Sequence, residues 1–244
     1  MKKQSQIGTW SVIDNSDIIE IIGLADYDFV IIDFEHGHHS LTNLANHVRA
    51  SHLNSMKAYA RPREINKKEI LQLLEANVDG IFVPDVRTVE DAKLITDSCF
   101  YPPMGTRGAS GFTKSSKYGK LSFSIHKKIA NKKIFVCILI ESEEGLKNIK
   151  DIVIQNKQID CVYFGTYDLM NELQLFDKNK KNLNFFEKIL IKKIIEIKKI
   201  KPSMKFGRVV HDKKEASKFK KYYDLMALKV DCNLILDSFL KAKL

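Results

Sequence analysis

Short apolar segments alternate with longer amphipathic stretches along the whole 244-residue chain. Several of the short segments are continuous β-branched runs, as in Val30, Ile31 and Ile32, and contain no alternating polar residues. Such runs are typical of parallel strands that are covered on both faces. The pattern therefore predicts an α/β protein with a parallel sheet. The eight predicted strands are residues 7–11, 29–34, 57–61, 80–84, 134–141, 160–165, 205–210 and 225–230.

A helical pattern follows each predicted strand. The predicted helices are residues 14–24, 41–50, 67–76, 88–99, 143–155, 184–201, 212–222 and 232–240. Eight strand-then-helix units over this length predict a single (β/α)₈ barrel, a TIM barrel, covering residues 1–244. A doubly wound open sheet is the rival. It would need a glycine-rich phosphate turn after the first strand to carry a dinucleotide, and residues 9–12 contain no glycine.

One long irregular segment interrupts the pattern at residues 101–120. It holds two of the five prolines and four of the eleven glycines. Loops of this length in a compact domain are usually lids or binding loops. We therefore expect this segment at the C-terminal face of the barrel, where barrel enzymes carry their active sites.

The amino-acid composition indicates which kinds of partner to expect and in which cellular compartment the protein is found. The net charge is +10, but only six of the 40 basic residues are arginine. Arginine is the side chain that most often recognises DNA bases, through bidentate hydrogen bonds. We therefore expect no nucleic-acid partner. No apolar run approaches the roughly 18 residues that span a bilayer, and the basic start leads into no apolar signal region, so we expect a cytoplasmic protein without membrane contact. The four cysteines show no CxxC spacing and are expected to be buried, reduced thiols.

Polar residues stand directly after the predicted strands. In a parallel barrel these positions converge on one mouth, so their side chains are candidates for an active site. The candidates are Asp33, Glu35 and His36 after the second strand, Arg61 after the third, Glu141 after the fifth, and Gly165, Thr166, Tyr167 and Asp168 after the sixth.

Glu141 and Asp168 are 27 residues apart, which is one strand-helix-strand step. Two neighbouring carboxylates repel unless one holds a proton or a cation lies between them. A hard divalent cation such as Mg²⁺ is commonly held by one or two carboxylates, so the pair is a candidate metal site. Alternatively, Glu141 caps the next helix and Asp168 is a turn residue.

The remaining candidates suggest proton transfer and anion binding. Asp33 lies three residues before His36 and could orient its imidazole as a general base, or His36 is an ordinary loop residue. Arg61 could bind a carboxylate or enolate oxygen, or form a structural ion pair. The amides at Gly165 and Thr166 could hold an anion, or form an ordinary turn.

Other chemistries have weaker support. The histidines His36, His38 and His39 could suggest zinc, but no cysteine or spaced fourth ligand accompanies them. Lys229, late in the last strand, is a weak candidate for a Schiff-base lysine. The chain contains neither GxSxG nor a Walker A motif, which argues against an α/β-hydrolase or a P-loop enzyme.

Several fragments, in order and with matching spacing, resemble the HpcH/HpaI aldolase and citrate lyase family over nearly the whole chain. The fragments are Gly8-Thr9-Trp10, residues 27–37 with Asp33-x-Glu35-His36-Gly37, Arg61-Pro62, Gly80-Ile81-x-Val83-Pro84, Tyr101-Pro102-Pro103-x-Gly105-x-Arg107-Gly108, Ile140-Glu141, Asn148-Ile149, Ile159-Asp160 and Gly165-x-x-Asp168-Leu169. The resemblance implies a metal-dependent class II pyruvate aldolase that reversibly cleaves a 4-hydroxy-2-oxo acid into pyruvate and an aldehyde.

The resemblance also implies roles. Glu141 and Asp168 would hold Mg²⁺ or Mn²⁺, with Co²⁺ as a possible substitute. Arg61 would contact the keto or enolate oxygen of the 2-oxo acid, and His36, oriented by Asp33, would move the proton. The remaining substrate contacts would come from Gly165, Thr166, Tyr167 and Glu35.

The sequence departs from the family pattern in places. Many relatives have proline and asparagine where this chain has His38 and His39, and proline where it has Thr166; arginines of the long loop are replaced by Lys114 and Lys117. These changes concern the aldehyde half of the substrate, which the sequence does not name. Two other functions stay open, a citryl-CoA lyase-like enzyme and a non-catalytic barrel.

The last helix bears on assembly. Residues 232–240 carry Leu234, Ile235, Leu236, Phe239 and Leu240, which is a high apolar content for a terminal helix. An exposed apolar patch is a site of association. The family resemblance implies a hexamer, so we expect a homo-hexamer in which this helix contacts a neighbouring subunit.

Overall fold

The computed structural model describes residues 5–176 and 180–243 and contains a closed barrel of eight parallel strands. Each strand pairs in parallel with its neighbours in sequence, and β1 pairs with β8 to close the barrel. This arrangement confirms the predicted (β/α)₈ fold. The strands are β1 Gln6–Ser11, β2 Phe29–Asp33, β3 Lys57–Arg61, β4 Gly80–Val83, β5 Phe135–Ile140, β6 Cys161–Phe164, β7 Lys205–Val210 and β8 Leu225–Val230.

Helices surround the barrel, and side chains cap most of their N-termini. Thr88 and Asp91 form a reciprocal capping box at α4, and Asn15 rather than Ser16 caps α1. The helices are α1 Ser16–Leu24, α2 Leu41–Leu53, α3 Lys67–Glu75, α4 Val89–Cys99, α5 Phe123–Lys133, α6 Glu143–Gln155, α7 Thr166–Glu172, α8 Lys180–Ile200, α9 Lys213–Phe219 and α10 Asp231–Ala242. A short 3₁₀ helix, Lys114–Gly119, precedes α5.

The strands bury both of their faces, as the continuous apolar runs predict. One face packs against the helices and the other fills the barrel. Inside the barrel, the aromatic rings of Trp10, Phe82 and Tyr163 meet edge to face, with centroids 5.6–6.3 Å apart. The barrel interior is therefore packed, and a ligand can enter only at its ends.

Two helices escape prediction because they lack a long apolar stripe. Along α5, His126 is the buried residue, while Ile125 and Ile129 stay partly exposed. The seven residues of α7 span only about two turns, which is too short for a clear period. In addition, α8 begins at Lys180, four residues before the predicted start.

The expectation for the segment 101–120 is wrong. This segment follows the end of α4 and leads through α5 into β5, so its chain connects a helix to the next strand at the N-terminal end of the barrel. Lys67 Nζ donates to Thr106 Oγ1 at 3.0 Å, and Lys114 Nζ donates to the Ala45 carbonyl at 2.7 Å. The segment packs over the outside of α3 and α2, and Arg107 and Ser115 lie beside residues 77–79, which precede β4 at the N-terminal end of the barrel.

The cysteines follow the prediction with one exception. Cys99, Cys137 and Cys161 are buried free thiols, whereas Cys232 is a free thiol exposed on α10. Cys232 lies outside the barrel core because α10 follows the last strand and keeps one side open to solvent.

Within residues 5–176 and 180–243, the structure has no helix that combines the length and the apolar character needed to cross a membrane.

Candidate active site

A cavity of about 600 Å³ opens at the C-terminal end of the barrel. The cavity lies where active sites of this fold occur, and it gathers side chains from the ends of six of the strands, β2, β3, β5, β6, β7 and β8. Its lining includes Asp33, His36, Arg61, Glu141, Gly165, Thr166, Tyr167, Asp168, His211, Lys229, Asn233 and Asp237. The structure therefore brings together all of the strand-end candidates named from the sequence except Glu35. The Glu35 side chain does not line the cavity, but it forms an ion pair with Arg61, which does.

Arg61 is the central cation of this cavity. Its Nε and Nη2 donate to the two carboxylate oxygens of Asp33, at 2.8 and 2.6 Å, because Asp33 and Arg61 are paired residues at the ends of β2 and β3. Its Nη1 lies 2.8 Å from Glu35 Oε2, and its guanidinium stacks 4.4 Å from the centre of the Trp10 ring. Arg61 thus makes structural ion pairs and also lines the cavity.

Asp33 does not orient His36 as expected. Its Oδ1 accepts the backbone N–H groups of Glu35 and His36, at 3.0 and 3.3 Å, while both of its oxygens hold Arg61. These bonds shape the turn after β2 and fix Arg61, and in the described structure the carboxylate makes no bond to the exposed imidazole of His36. The expected pair fails because the turn directs the backbone of residue 36, and not its ring, toward Asp33.

Glu141 follows β5 and is nearly buried. Its Oε2 accepts the backbone N–H of Asp85 at 2.8 Å, and its Oε1 lies 4.0 Å from Arg61 Nη1. Burial raises the pKa of Glu141 to about 7, and the negative charge of Asp168 adds to this, although the Asp85 N–H and Arg61 oppose it. Ser142, whose hydroxyl accepts the Gly145 N–H at 3.1 Å, caps α6. Glu141 therefore does not cap α6, which was the alternative role considered for it from the sequence.

Asp168 enters the cavity from the first turn of α7, which begins one residue after Gly165. A Cβ at position 165 would lie 2.4 Å from Glu141 Cγ, so only glycine permits Glu141 and the start of α7 to approach this closely. The strand end, the glycine and the short helix together bring both carboxylates to one side of the cavity.

Sequence reasoning named Lys229 of the last strand only as a weak candidate and left out the residues that the last helix contributes. Lys229 adopts a left-handed backbone with φ of 54°, and its ammonium pairs with Asp237 of α10. Asn233 lies four residues before Asp237 on the same helix and also lines the cavity. The sequence signal was the four-residue spacing of Asn233 and Asp237 on a helix that directly follows a strand. This spacing places both side chains on one face of the helix. The pairing of Lys229 with a carboxylate gives no support to a Schiff-base role.

The three neighbouring histidines do not form a site together. His36 lines the cavity, His38 is exposed, and His39 is buried against His47 and Asp14. The turn after β2 therefore points these three histidines in different directions.

Comparison with known proteins places the chain in a family. A model of the HpcH/HpaI aldolase/citrate lyase family matches residues 6–237. The chain belongs to this family.

Individual relatives are similar but distant. The chain is 29% identical over 167 residues to 5-keto-4-deoxy-D-glucarate aldolase from Shigella boydii, a match that covers 68% of this chain and 64% of the relative. It is 29% identical over 174 residues to 2-keto-3-deoxy-L-rhamnonate aldolase from Klebsiella pneumoniae, covering 71% and 64%. The matches thus span just under two thirds of these relatives. The fold agrees with the crystal structure of a family protein from Burkholderia cenocepacia, with a TM-score of 0.88, 20% identity and coverage of 98% and 93%.

Proposed function

We propose that this protein is a metal-dependent class II aldolase that reversibly cleaves a 4-hydroxy-2-oxo acid into pyruvate and an aldehyde. The observation that carries the proposal is the meeting of one arginine with two carboxylates, Arg61 with Glu141 and Asp168, at the mouth of the barrel. The family supports it, since two of its members with related sequences are named keto-deoxy sugar acid aldolases.

The two carboxylates fit a hard divalent cation. Glu141 is nearly buried and its pKa is raised to about 7 by that burial, so its ionised form lacks a sufficient neutralising partner. The nearest cation, Arg61, is engaged by Asp33 and Glu35. Oxygen ligands of this kind suit Mg²⁺ or Mn²⁺, and Co²⁺ could substitute. When bound, the ion acts as a Lewis acid that stabilises the enolate.

Arg61 supplies the fixed positive charge. Two of its five N–H bonds donate to Asp33, and Nη1 forms an ion pair with Glu35, so N–H donors remain for the keto oxygen of the substrate. Because Asp33 and Glu35 hold the guanidinium in place, these donors need no reorganisation as negative charge develops on that oxygen. Gly165, Thr166 and Tyr167 line the cavity beside Asp168, and we assign them the carboxylate end of the 2-oxo acid.

His36 is the proposed proton carrier for the other half of the reaction. In the cleavage direction, it takes the proton of the C4 hydroxyl as the C3–C4 bond breaks. The aldehyde leaves, and the bonding electrons pass into the enolate of pyruvate. The proton that His36 has taken up balances the protonation of this enolate at C3. The exposed ring of His36 at the cavity edge can reach a hydroxyl without being held by Asp33.

The aldehyde half would lie toward the ends of β7 and β8. His211, Lys229 and Asn233 offer hydrogen bonds there, which suits an aldehyde that carries hydroxyl groups.

Two measurements test the proposal. Pyruvate dissolved in D₂O should lose its methyl proton signal with metal-loaded protein and keep it after metal removal, whatever the aldehyde partner is. Pyruvate release from a panel of 4-hydroxy-2-oxo acids then identifies the aldehyde. Asp168→Ala should abolish both reactions and metal-dependent pyruvate binding, whereas Glu144→Gln, an exposed acid on α6, should change neither.

His36→Ala separates binding from proton transfer. Pyruvate affinity should stay the same, while aldol cleavage slows by roughly 10²–10⁴-fold, the usual effect of losing a general base. Absence of both methyl exchange and pyruvate binding in the metal-loaded wild type would refute the aldolase. Protection by an acyl-CoA in place of pyruvate would indicate the citryl-CoA lyase-like alternative.

We also propose that the protein assembles into a homo-hexamer. The support is the outer side of α10, where Leu236, Phe239 and Leu240 are 54%, 70% and 62% exposed. Exposed apolar side chains of this kind favour association, because contact with a second copy of the chain removes them from water.

A further inference from the structure

A compact cluster of metal-ligating side chains lies apart from the proposed carboxylate pair. Asp14 comes from the connection between β1 and α1, His39 from the connection between β2 and α2, and His47 from α2 itself. Asp14 Oδ1 lies 2.7 Å from His47 Nε2 and 3.5 Å from His39 Nδ1. One ligand atom from each residue can be chosen so that all three lie within 4.8 Å of one another.

Hydrogen bonds determine the tautomer of His39. Its Nε2 lies 2.9 Å from the Ser11 carbonyl, which can only accept, so Nε2 carries the proton of the neutral ring. The Ser11 hydroxyl, 3.4 Å from the same nitrogen, donates its own proton to Asp231 Oδ2 at 2.8 Å. His39 Nδ1 is consequently left with a lone pair.

That lone pair faces a carboxylate. His39 Nδ1 is buried, has no hydrogen-bond partner within the described chain, and points at Asp14 Oδ1. Asp14 Oδ1 also accepts a hydrogen bond from His47 Nε2 at 2.7 Å, so this one carboxylate oxygen faces both imidazoles. Two acceptors that face each other at 3.5 Å are stabilised by a positive charge between them, which either a proton or a metal ion can supply.

The carboxylate is already oriented for such a cation. Asp14 Oδ2 accepts from Asn43 Nδ2 at 3.0 Å and from the Ser40 N–H at 3.2 Å. Oδ1 accepts from His47 Nε2 at 2.7 Å, and that proton leaves when both atoms bind the metal. An imidazole whose other nitrogen donates to a backbone carbonyl, as in His39, is the usual arrangement of a metal ligand. A pocket of about 200 Å³ beside Asp14 and His47 opens to solvent and offers room for water ligands.

We propose that Asp14, His39 and His47 form a second metal site, for a divalent transition-metal cation of the zinc type, with His39 Nδ1, His47 Nε2 and Asp14 Oδ1 as protein ligands. Two imidazoles and one carboxylate favour such an ion over Mg²⁺. Bonds of 2.0–2.2 Å in a tetrahedral site place ligand atoms roughly 3.3 Å apart. The 3.5 Å separation fits this, and the 2.7 Å contact to His47 lengthens on binding.

Occupancy of the site would join three separate segments. His39 is three residues after His36, so the ion would fix the turn after β2 that also carries the proposed proton carrier. The inference concerns binding alone and does not depend on the proposed aldolase reaction.

The experiment uses chelator-stripped full-length protein in excess Mg²⁺, which prefers the oxygen ligands at Glu141 and Asp168. Co²⁺ is then titrated while its visible absorption is recorded, since four-coordinate Co²⁺ with nitrogen ligands absorbs far more strongly than octahedral Co²⁺ with oxygen ligands. We expect one equivalent of strongly absorbing Co²⁺, displaced by Zn²⁺. Stripped, folded wild type that gives no strong absorption overturns the proposal.

Variants assign the signal to the cluster. His39→Asn and His47→Gln should each weaken Co²⁺ binding by more than about 100-fold, because even the loss of a residue that only supports a ligand costs 10–100-fold. The matched control is His38→Asn, an exposed histidine next to His39, which should bind as wild type does. Circular dichroism reports the folding of each variant.

A double variant separates the two proposed sites. Glu141→Gln with Asp168→Asn should keep the strong absorption. Its loss in that variant, or its retention in His39→Asn, would place the ion elsewhere and overturn the inference.

Discussion

Burial of Glu141 makes the stability of the metal-free protein depend on pH in a defined direction. Its pKa is raised from 4.5 to about 7 by burial, with a further contribution from Asp168. Between these two values the folded state holds a proton at Glu141 that the unfolded chain has released. The free energy of unfolding therefore decreases as the pH rises from 4.5 to about 7.

The magnitude follows from the two pKa values. At 1.36 kcal/mol per pKa unit, ionised Glu141 destabilises the metal-free fold by about 3 kcal/mol above pH 7. Glu141→Gln keeps the shape of the side chain and its acceptor for the Asp85 N–H but cannot ionise. We expect this metal-free variant to be more stable than wild type by about 3 kcal/mol at pH 8 and by only about 1 kcal/mol at pH 5.

Urea unfolding of both proteins from pH 5 to pH 8, with chelator present, measures this difference. Taking the difference between variant and wild type removes the contributions of groups that both proteins share. Glu144→Gln is the matched control, since Glu144 is exposed on α6, and its offset from wild type should stay constant. A constant offset for Glu141→Gln as well would refute the reasoning. Saturating Mn²⁺ at pH 8 should reverse the order and make wild type the more stable protein.

Other perturbations have equally specific outcomes. Arg61→Lys keeps the charge but loses the two-pronged bond to Asp33, so pyruvate release should fall by at least roughly 100-fold, as checked by steady-state kinetics. Gly165→Ala would place a methyl group 2.4 Å from Glu141 Cγ; we expect about 1–3 kcal/mol of destabilisation and a roughly 100-fold loss of activity, measured by urea unfolding and the same assay. Phe239→Lys should disrupt the exposed apolar side of α10, and light scattering should then report smaller particles than for wild type; a 28 kDa monomer in wild type at micromolar concentration would contradict the proposed hexamer.

Much of the fold is determined by local pattern. Continuous β-branched runs such as residues 30–32 indicate burial on both faces, and eight predicted strands separated by helices leave few alternatives to a closed parallel barrel. Because parallel strand ends converge, the positions of Asp33, Arg61, Glu141 and Asp168 near one mouth also follow from sequence. Helices with few buried apolar residues, such as α5, could not be predicted in this way, because their apolar positions are too few to define a buried face.

The tertiary structure decided the partners of each polar group. The sequence placed Asp33 three residues before His36, yet Asp33 binds Arg61 because strand register sets those two side by side. It also grouped His39 with His36, whereas the turn after β2 buries His39 beside Asp14 and His47, residues 25 and 8 positions away. The position of residues 101–120 was likewise decided by the fold. The segment follows α4, which returns the chain to the N-terminal end of the barrel. Hydrophobic periodicity reports which face of an element is buried, but hydrogen bonds and ion pairs form between elements, and only the folded chain brings those elements together.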